Sequence, residues 1–320
     1  MTQLDSLKML SIIVADTANY QLLNQFESTD TTTNPTLIMQ VSRLKEFQPY
    51  VEEAMIWARK QGGEKKKILQ NACLYLTVGI GAESLKKVPG CVSTEVDARL
   101  SFNTPEMIQQ ARTISLLYEK KGISRERVLI KIASTWEGIQ AGKLLEKEGI
   151  QCNMTLIFEA AQAIACAEAG ITLISPFVGR ISDWYKKQFP SIDYQAEKDP
   201  GVTALKGIYY YLKYFNYPTI VMGASFRSID QICAVAGCDK LTISPALLTE
   251  LKESMAAVSH ALSPIDKAAD NHIIIEKVDM NEHFFRWEMN SNELAHYLLA
   301  DGIRKFAEDQ KKLEESFAQY

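Results

Sequence analysis

The sequence predicts an α/β protein folded as a single (β/α)8 barrel (TIM type) with additional helices, including one at the C-terminus. Three observations predict it. Eight short β-prone runs each lead into a longer helical pattern, which is the signal for βα units on a parallel sheet. No GxGxxG follows the first run and no GxxxxGK[ST] occurs anywhere, so the usual marks of an open nucleotide-binding sheet are missing. The length of 320 residues, with 47% hydrophobic and 23% charged, suits one such barrel with extensions.

In chain order, SIIVAD (11–16) is the first run and the short, polar DTTTN (30–34) the second. The interval 35–90 is long enough to hold more than one helix before CVSTEVD (91–97). TPEMIQQARTISLLYEKKG (104–122) then reads as an amphipathic helix stopped by glycine, followed by RVLIKIAS (127–134). TWEGIQAGKLLEKEG (135–149) repeats the helix-then-glycine pattern ahead of CNMTLIF (152–158). ITLISPFV (171–178), TIVMGAS (219–225) and KLTIS (240–244) complete the eight. A helix is expected over 291–317, and 255–290 reads as a covering loop and helix. No linker or low-complexity tract interrupts the chain, so residues 1–320 are expected to form one domain with a C-terminal helical extension.

The formal net charge of −4 carries no electrostatic footprint for nucleic acid or an anionic membrane, which leaves small molecules or a second copy as partners. The N-terminus lacks the basic and apolar regions of a signal peptide, and no window approaches the ~18 apolar residues of a membrane span. Six scattered cysteines with no CxxC read as reduced thiols, so a cytoplasmic location is expected. All four histidines (His260, His272, His283, His296) follow the eighth run. That argues against a histidine-ligated metal and against a Ser-His-Asp arrangement, so no metal or cofactor is expected.

Side chains alternate along a strand. If Val128, Ile130 and Ile132 face the helices, then Leu129, Lys131 and Ala133 point into the barrel. The same parity gives Ser93, Glu95 and Asp97 on the third run, Asn153 and Thr155 on the fifth, and Ser175 and Phe177 on the sixth. The first run ends at Asp16, and the second supplies Thr32 and Asn34. Barrel interiors are normally filled by branched apolar residues, so a polar set towards the strand ends marks a site. Each has a simpler reading alone. Glu95 could be a structural ion-pair partner of Lys131, Asp16 a helix cap, Asn34-Pro35 a turn, and Lys240 a strand-start lysine that reaches solvent. Their coincidence on successive strands has none.

Burial favours the neutral form of an amine. A neutral amine attacks carbonyls to form a Schiff base, whose cationic nitrogen is an electron sink for carbon–carbon cleavage without a metal. Such chemistry needs a base and a proton shuttle, posts that Asp16 and Glu95 could fill.

VADT (14–17), TTTNPTLI (31–38), STEVDARLS (93–101), LIKIASTWEGI (129–139), CNMTLIF (152–158), ISPFVGRISDWY (174–185) and MGASFRS (222–228) together closely resemble the transaldolase family, of the long bacterial–eukaryotic type. The resemblance runs from the N-terminus to GIRKFAEDQKKLE (302–314). It implies that Lys131 forms the imine, that Asp16 takes the C4 hydroxyl proton, and that Glu95 relays protons through a water held by Thr155. It also implies that Asn34 and Ser175 bind substrate hydroxyls beside Thr32, Ser93 and Asn153, and that Arg180, Ser225 and Arg227 bind phosphate. Sugar phosphate substrates and a homodimer are implied as well. So is transfer of a dihydroxyacetone unit from sedoheptulose 7-phosphate to glyceraldehyde 3-phosphate, in the non-oxidative pentose phosphate pathway. Phe177, where aldolase relatives have tyrosine, favours transfer over release. A cleaving fructose 6-phosphate aldolase and a non-catalytic sugar-phosphate binder are the alternatives.

Overall fold

The computed structural model describes residues 1–264 and 275–320. All eight predicted runs are strands, each a little shorter than its run. They are β1 (Ile12–Asp16), β2 (Asp30–Thr32), β3 (Val92–Glu95), β4 (Val128–Ala133), β5 (Cys152–Ile157), β6 (Leu173–Pro176), β7 (Ile220–Gly223) and β8 (Lys240–Ile243). They pair in chain order, all parallel, and β1 closes on β8 through Ile12↔Lys240 to Ala15↔Ile243. The barrel expected from the count of runs is therefore closed.

Helices follow the strands as expected. Thr104–Lys120 and Trp136–Lys147 start from the side-chain caps Asn103 and Thr135, and Gly122 and Gly149 follow their ends with positive φ, a conformation glycine adopts at little cost. The interval after β2 holds Pro35–Ser42, Gln48–Gln61 and Lys65–Leu85. A short helix, Gln3–Lys8, precedes β1 and is too brief for periodicity to reveal. The expected C-terminal helix is a single helix, Glu293–Phe317, which Asn292 caps by accepting from the Ala295 amide. The expected covering helix in 255–290 is Glu282–Ser291, which buries Phe285 and Met289; His272 lies outside the described residues.

Inside the barrel, Val14, Leu129, Leu173 and Met222 form their own buried cluster, contributed by β1, β4, β6 and β7. One side-chain period further along three of these strands stand Asp16, Lys131 and Ser175. An apolar plug thus underlies a polar layer, and the polar layer opens at the C-terminal ends of the strands. A larger apolar cluster packs helices against the outside of the sheet. Another joins the helices of 35–85 to Leu313 and Phe317, which ties the terminal helix across the barrel mouth.

Lys240 corrects one expectation. It does not simply reach solvent; its ammonium is ion-paired with Asp30, and the two side chains are 12% and 7% exposed. The pair reaches across β1, so the buried ammonium is met by a carboxylate rather than by water.

Candidate active site

Lys131 lies mid-strand on β4 and is 5% exposed. The register sets Glu95 of β3 on one side of it and Asn153 of β5 on the other. Its Nζ is 3.5 Å from Glu95 Oε2 and donates to the Thr33 carbonyl at 3.3 Å. Glu95 is as buried as the lysine, and desolvation raises its pKa against the opposing pull of Lys131.

Asp16 ends β1 directly beside Thr32 of β2. It accepts from Thr32 Oγ1 at 2.9 Å, and that hydroxyl also lies 2.7 Å from Thr242 Oγ1. The carboxylate keeps some surface open to the cavity yet lies deep in the mouth. Its pKa is raised by loss of water, with Lys131, Thr32 and Arg180 pulling the other way. Asp16 is not a helix cap, because Asn19 caps the next helix. Asn34 does serve as a cap, accepting from the Leu37 amide at 3.0 Å, and it lines the cavity as well.

Ser93, Asn153 and Ser175 form one buried chain across β3, β5 and β6. Asn153 donates to Ser93 Oγ at 2.9 Å, and Ser175 donates to Asn153 Oδ1 at 2.7 Å. Among the described residues, buried Thr155 Oγ1 has no hydrogen-bond partner, and buried Glu95 Oε2 has only the Lys131 ammonium at 3.5 Å, beyond a good hydrogen bond. Native structures rarely leave such atoms without a role.

At the rim, the guanidinium of Arg180 stands 5.1 Å from the Phe177 ring and 5.5 Å from that of Phe306. Its Nη1 is buried with no hydrogen-bond partner among the described residues, and burial together with nearby Arg227 pulls its pKa down. Ser225 has φ 61, and its carbonyl accepts from the Gly179 amide at 3.0 Å. Only glycine fits at 179, since a Cβ there would come within 2.1 Å of that oxygen. Arg227 reaches Ser225 Oγ at 3.3 Å while pairing with Asp183 at 2.9 Å. Positive charge thus gathers after β6 and β7, where a barrel's phosphate donors commonly stand.

A cavity of about 340 Å3 is lined by Asp16, Thr32, Asn34, Lys131, Thr155, Ser175, Phe177, Arg180, Ser225 and Arg227. Glu95, Ser93 and Asn153 do not line it; they stand behind Lys131 and beside it. Asp97, expected on the same face, lies past the strand end and pairs with Arg99. A larger outer cavity, about 580 Å3, shares Arg180 and Arg227 with the inner one. Lys131 and Asp16 line only the inner one.

Phe306, Thr242 and the Thr33 carbonyl also belong to the site and were not expected from the sequence. Phe306 lies in an ordinary amphipathic helix, and only the path of that helix over the barrel brings its ring 5.9 Å from Lys131 Nζ. Thr242 could have been found by applying strand parity to the eighth run.

The family model for transaldolase/fructose-6-phosphate aldolase matches residues 13–317. The chain is similar to Transaldolase 1 of Pectobacterium atrosepticum, with 51% identity over 98% of each chain. It is equally similar to the transaldolase of Homo sapiens, with 51% identity over 97% of this chain and 92% of the relative. Haemophilus influenzae transaldolase is 49% identical over 98% of this chain and 97% of its own. With a closed barrel, a buried lysine paired with Glu95, and likeness over nearly the full length, the chain belongs to the transaldolase/fructose-6-phosphate aldolase family.

Proposed function

We propose that the protein is a transaldolase that moves a three-carbon dihydroxyacetone unit between sugar phosphates through a Schiff base on Lys131. The observation that carries this reading is the buried Lys131 amine, set on an apolar plug with Glu95 at 3.5 Å and Asp16 in the same mouth. The amine attacks the C2 carbonyl of the ketose, and water leaves as the imine forms. Asp16 takes the C4 hydroxyl proton, the C3–C4 bond breaks, and its electrons pass into the imine to give an enamine. The aldose phosphate departs. An incoming aldehyde then accepts the enamine carbon and a proton, and water releases the new ketose.

Making the imine requires proton transfers at the carbinol oxygen. We assign the proton relay to a water taken up by Glu95 and Thr155, whose Oε2 and Oγ1 have hydrogen-bonding capacity left over, and a carboxyl with a raised pKa can give as well as take a proton. We assign Asn34 and Ser175 to the hydroxyls of the three-carbon unit, with Thr32, Ser93 and Asn153 beside them. Arg180, Ser225 and Arg227 supply fixed donors for the phosphate dianion. Sedoheptulose 7-phosphate as donor and glyceraldehyde 3-phosphate as acceptor, within the non-oxidative pentose phosphate pathway, is the pairing we favour.

The first experiment is intact mass after incubation with fructose 6-phosphate and reduction by borohydride. A gain matching one reduced dihydroxyacetone unit, absent in Lys131→Met, is expected. No adduct in wild type, with binding demonstrated, would sink the mechanism and leave a sugar-phosphate-binding barrel. The aldolase reading predicts steady dihydroxyacetone release without an acceptor. Phe177, 6% exposed and packed edge-on against Phe158, offers no hydroxyl to protonate the enamine, so release should stall after about one turnover per site.

A further inference from the structure

β5 carries one extra residue next to Thr155. Met154 is in register with Ile174 and Ile157 with Pro176, so three steps on β5 match two on β6. Leu156 takes up the difference with φ 58, a left-handed conformation that a branched side chain adopts only when its surroundings impose it.

What imposes it is Gln162, a fully buried amide on the helix Ala160–Glu168. Its Nε2 donates to Leu156 O at 3.0 Å and to Ser134 O at 2.9 Å. Its Oε1 accepts from the amides of Phe158 at 2.9 Å and Glu159 at 3.2 Å. Both donors and both acceptor positions are used. Ser134, held in this way, donates from Oγ and N to Thr155 O at 2.8 and 2.9 Å. One side chain thus bonds the backbone just after Thr155 directly, and reaches the Thr155 carbonyl through Ser134. Leu156 in turn projects onto Gly302 of the helix Glu293–Phe317, where a Cβ would come within 2.7 Å of Leu156 Cδ2. Phe306 follows one turn later on that helix and covers Lys131.

We infer that Gln162 is a positioning residue for the reaction: its amide locks the Leu156 bulge, which aims Thr155 into the cavity and seats the C-terminal helix above Lys131. This rests on the role given to Thr155 above. A residue that only caps its helix would affect stability and leave the chemistry alone.

The test measures the rate of borohydride-trappable adduct with fructose 6-phosphate, and the KM, in Gln162→Met, Leu156→Gly and the double variant. Gln162→Met should slow adduct formation about tenfold or more through misplacement of Thr155. KM should hold within about twofold, because the phosphate donors follow β6 and β7 rather than β5. Glycine adopts positive φ freely, so in the Leu156→Gly background the same change should cost less than about threefold. If Gln162→Met does not fold, the double variant against Leu156→Gly carries the comparison. A full-sized penalty in both backgrounds, an insoluble double variant, or a stability loss with unchanged adduct rate overturns the inference. Absence of adduct in wild type would take down the Schiff-base reading, and this inference with it.

Discussion

The ring of Phe306 stands 5.9 Å from Lys131 Nζ, and it comes from the last helix of the chain rather than from the barrel. That helix is anchored at several points. Asp309 accepts from Thr36, two residues after Asn34, and Glu314 pairs with Arg99, four residues after Glu95. The same ring also stacks near Arg180, so one apolar side chain walls both the lysine and the rim arginine from solvent.

Phe306→Ala should therefore do two things. Removing a ring that is 4% exposed costs about 3 kcal/mol of stability, readable by urea denaturation. It should also admit water to the enamine, so free dihydroxyacetone would form in the absence of acceptor. Stability loss with no such release would show that the ring only packs.

The raised pKa of Asp16 makes a pH-dependent prediction. Between the ordinary carboxylate pKa of about 4 and the raised folded value, the native state binds more protons than the unfolded chain. Stability from this group consequently falls as pH rises through that window, and the cost persists above it. Asp16→Asn removes the cost. Its Tm should exceed that of wild type at pH 8 and converge with it near pH 4, while activity is lost. A Tm difference independent of pH would contradict the assignment.

Arg180→Ala should act on binding more than on chemistry. Losing a charge-assisted hydrogen bond, about 1.5–3 kcal/mol, corresponds to a rise of roughly 10- to 100-fold in the KM for a phosphorylated ketose. Cleavage of an unphosphorylated ketose should change far less. An equal loss for both substrates would move Arg180 out of the phosphate site.

Asp183 pairs with Arg227, and about half of each side chain is exposed. Exposed pairs contribute little, so Asp183→Asn should leave Tm unchanged within error. The freed guanidinium should bind inorganic phosphate more tightly, by up to about fivefold for a difference under 1 kcal/mol. Titration calorimetry decides this, and weaker phosphate binding would show that Asp183 holds Arg227 in place instead of competing for it.

Much of the site was legible because strand periodicity is local. Once RVLIKIAS is a barrel strand, Lys131 and Leu129 must share a face, and the same rule gathers Glu95, Asn153, Thr155 and Ser175. Periodicity failed where the backbone leaves the strand. Asp97 falls beyond the end of β3 and turns to Arg99, and the extra residue at Leu156 is invisible until the register of β5 against β6 is known. Lys240 was misread for a related reason, since its partner Asp30 lies on a strand it does not border.

By itself the sequence determined the eight strands, the inward parity that stacks polar residues on an apolar plug, and the family motifs. These depend on spacing along the chain, which sterics and alternation dictate. Only the tertiary structure decided that the barrel closes β1 on β8, that Phe306 roofs the lysine, and that Gln162 holds the bulge beside Thr155. These are contacts between residues far apart in the chain. They exist because packing burial and buried amides must be satisfied in three dimensions, and no local pattern records which distant partner will satisfy them.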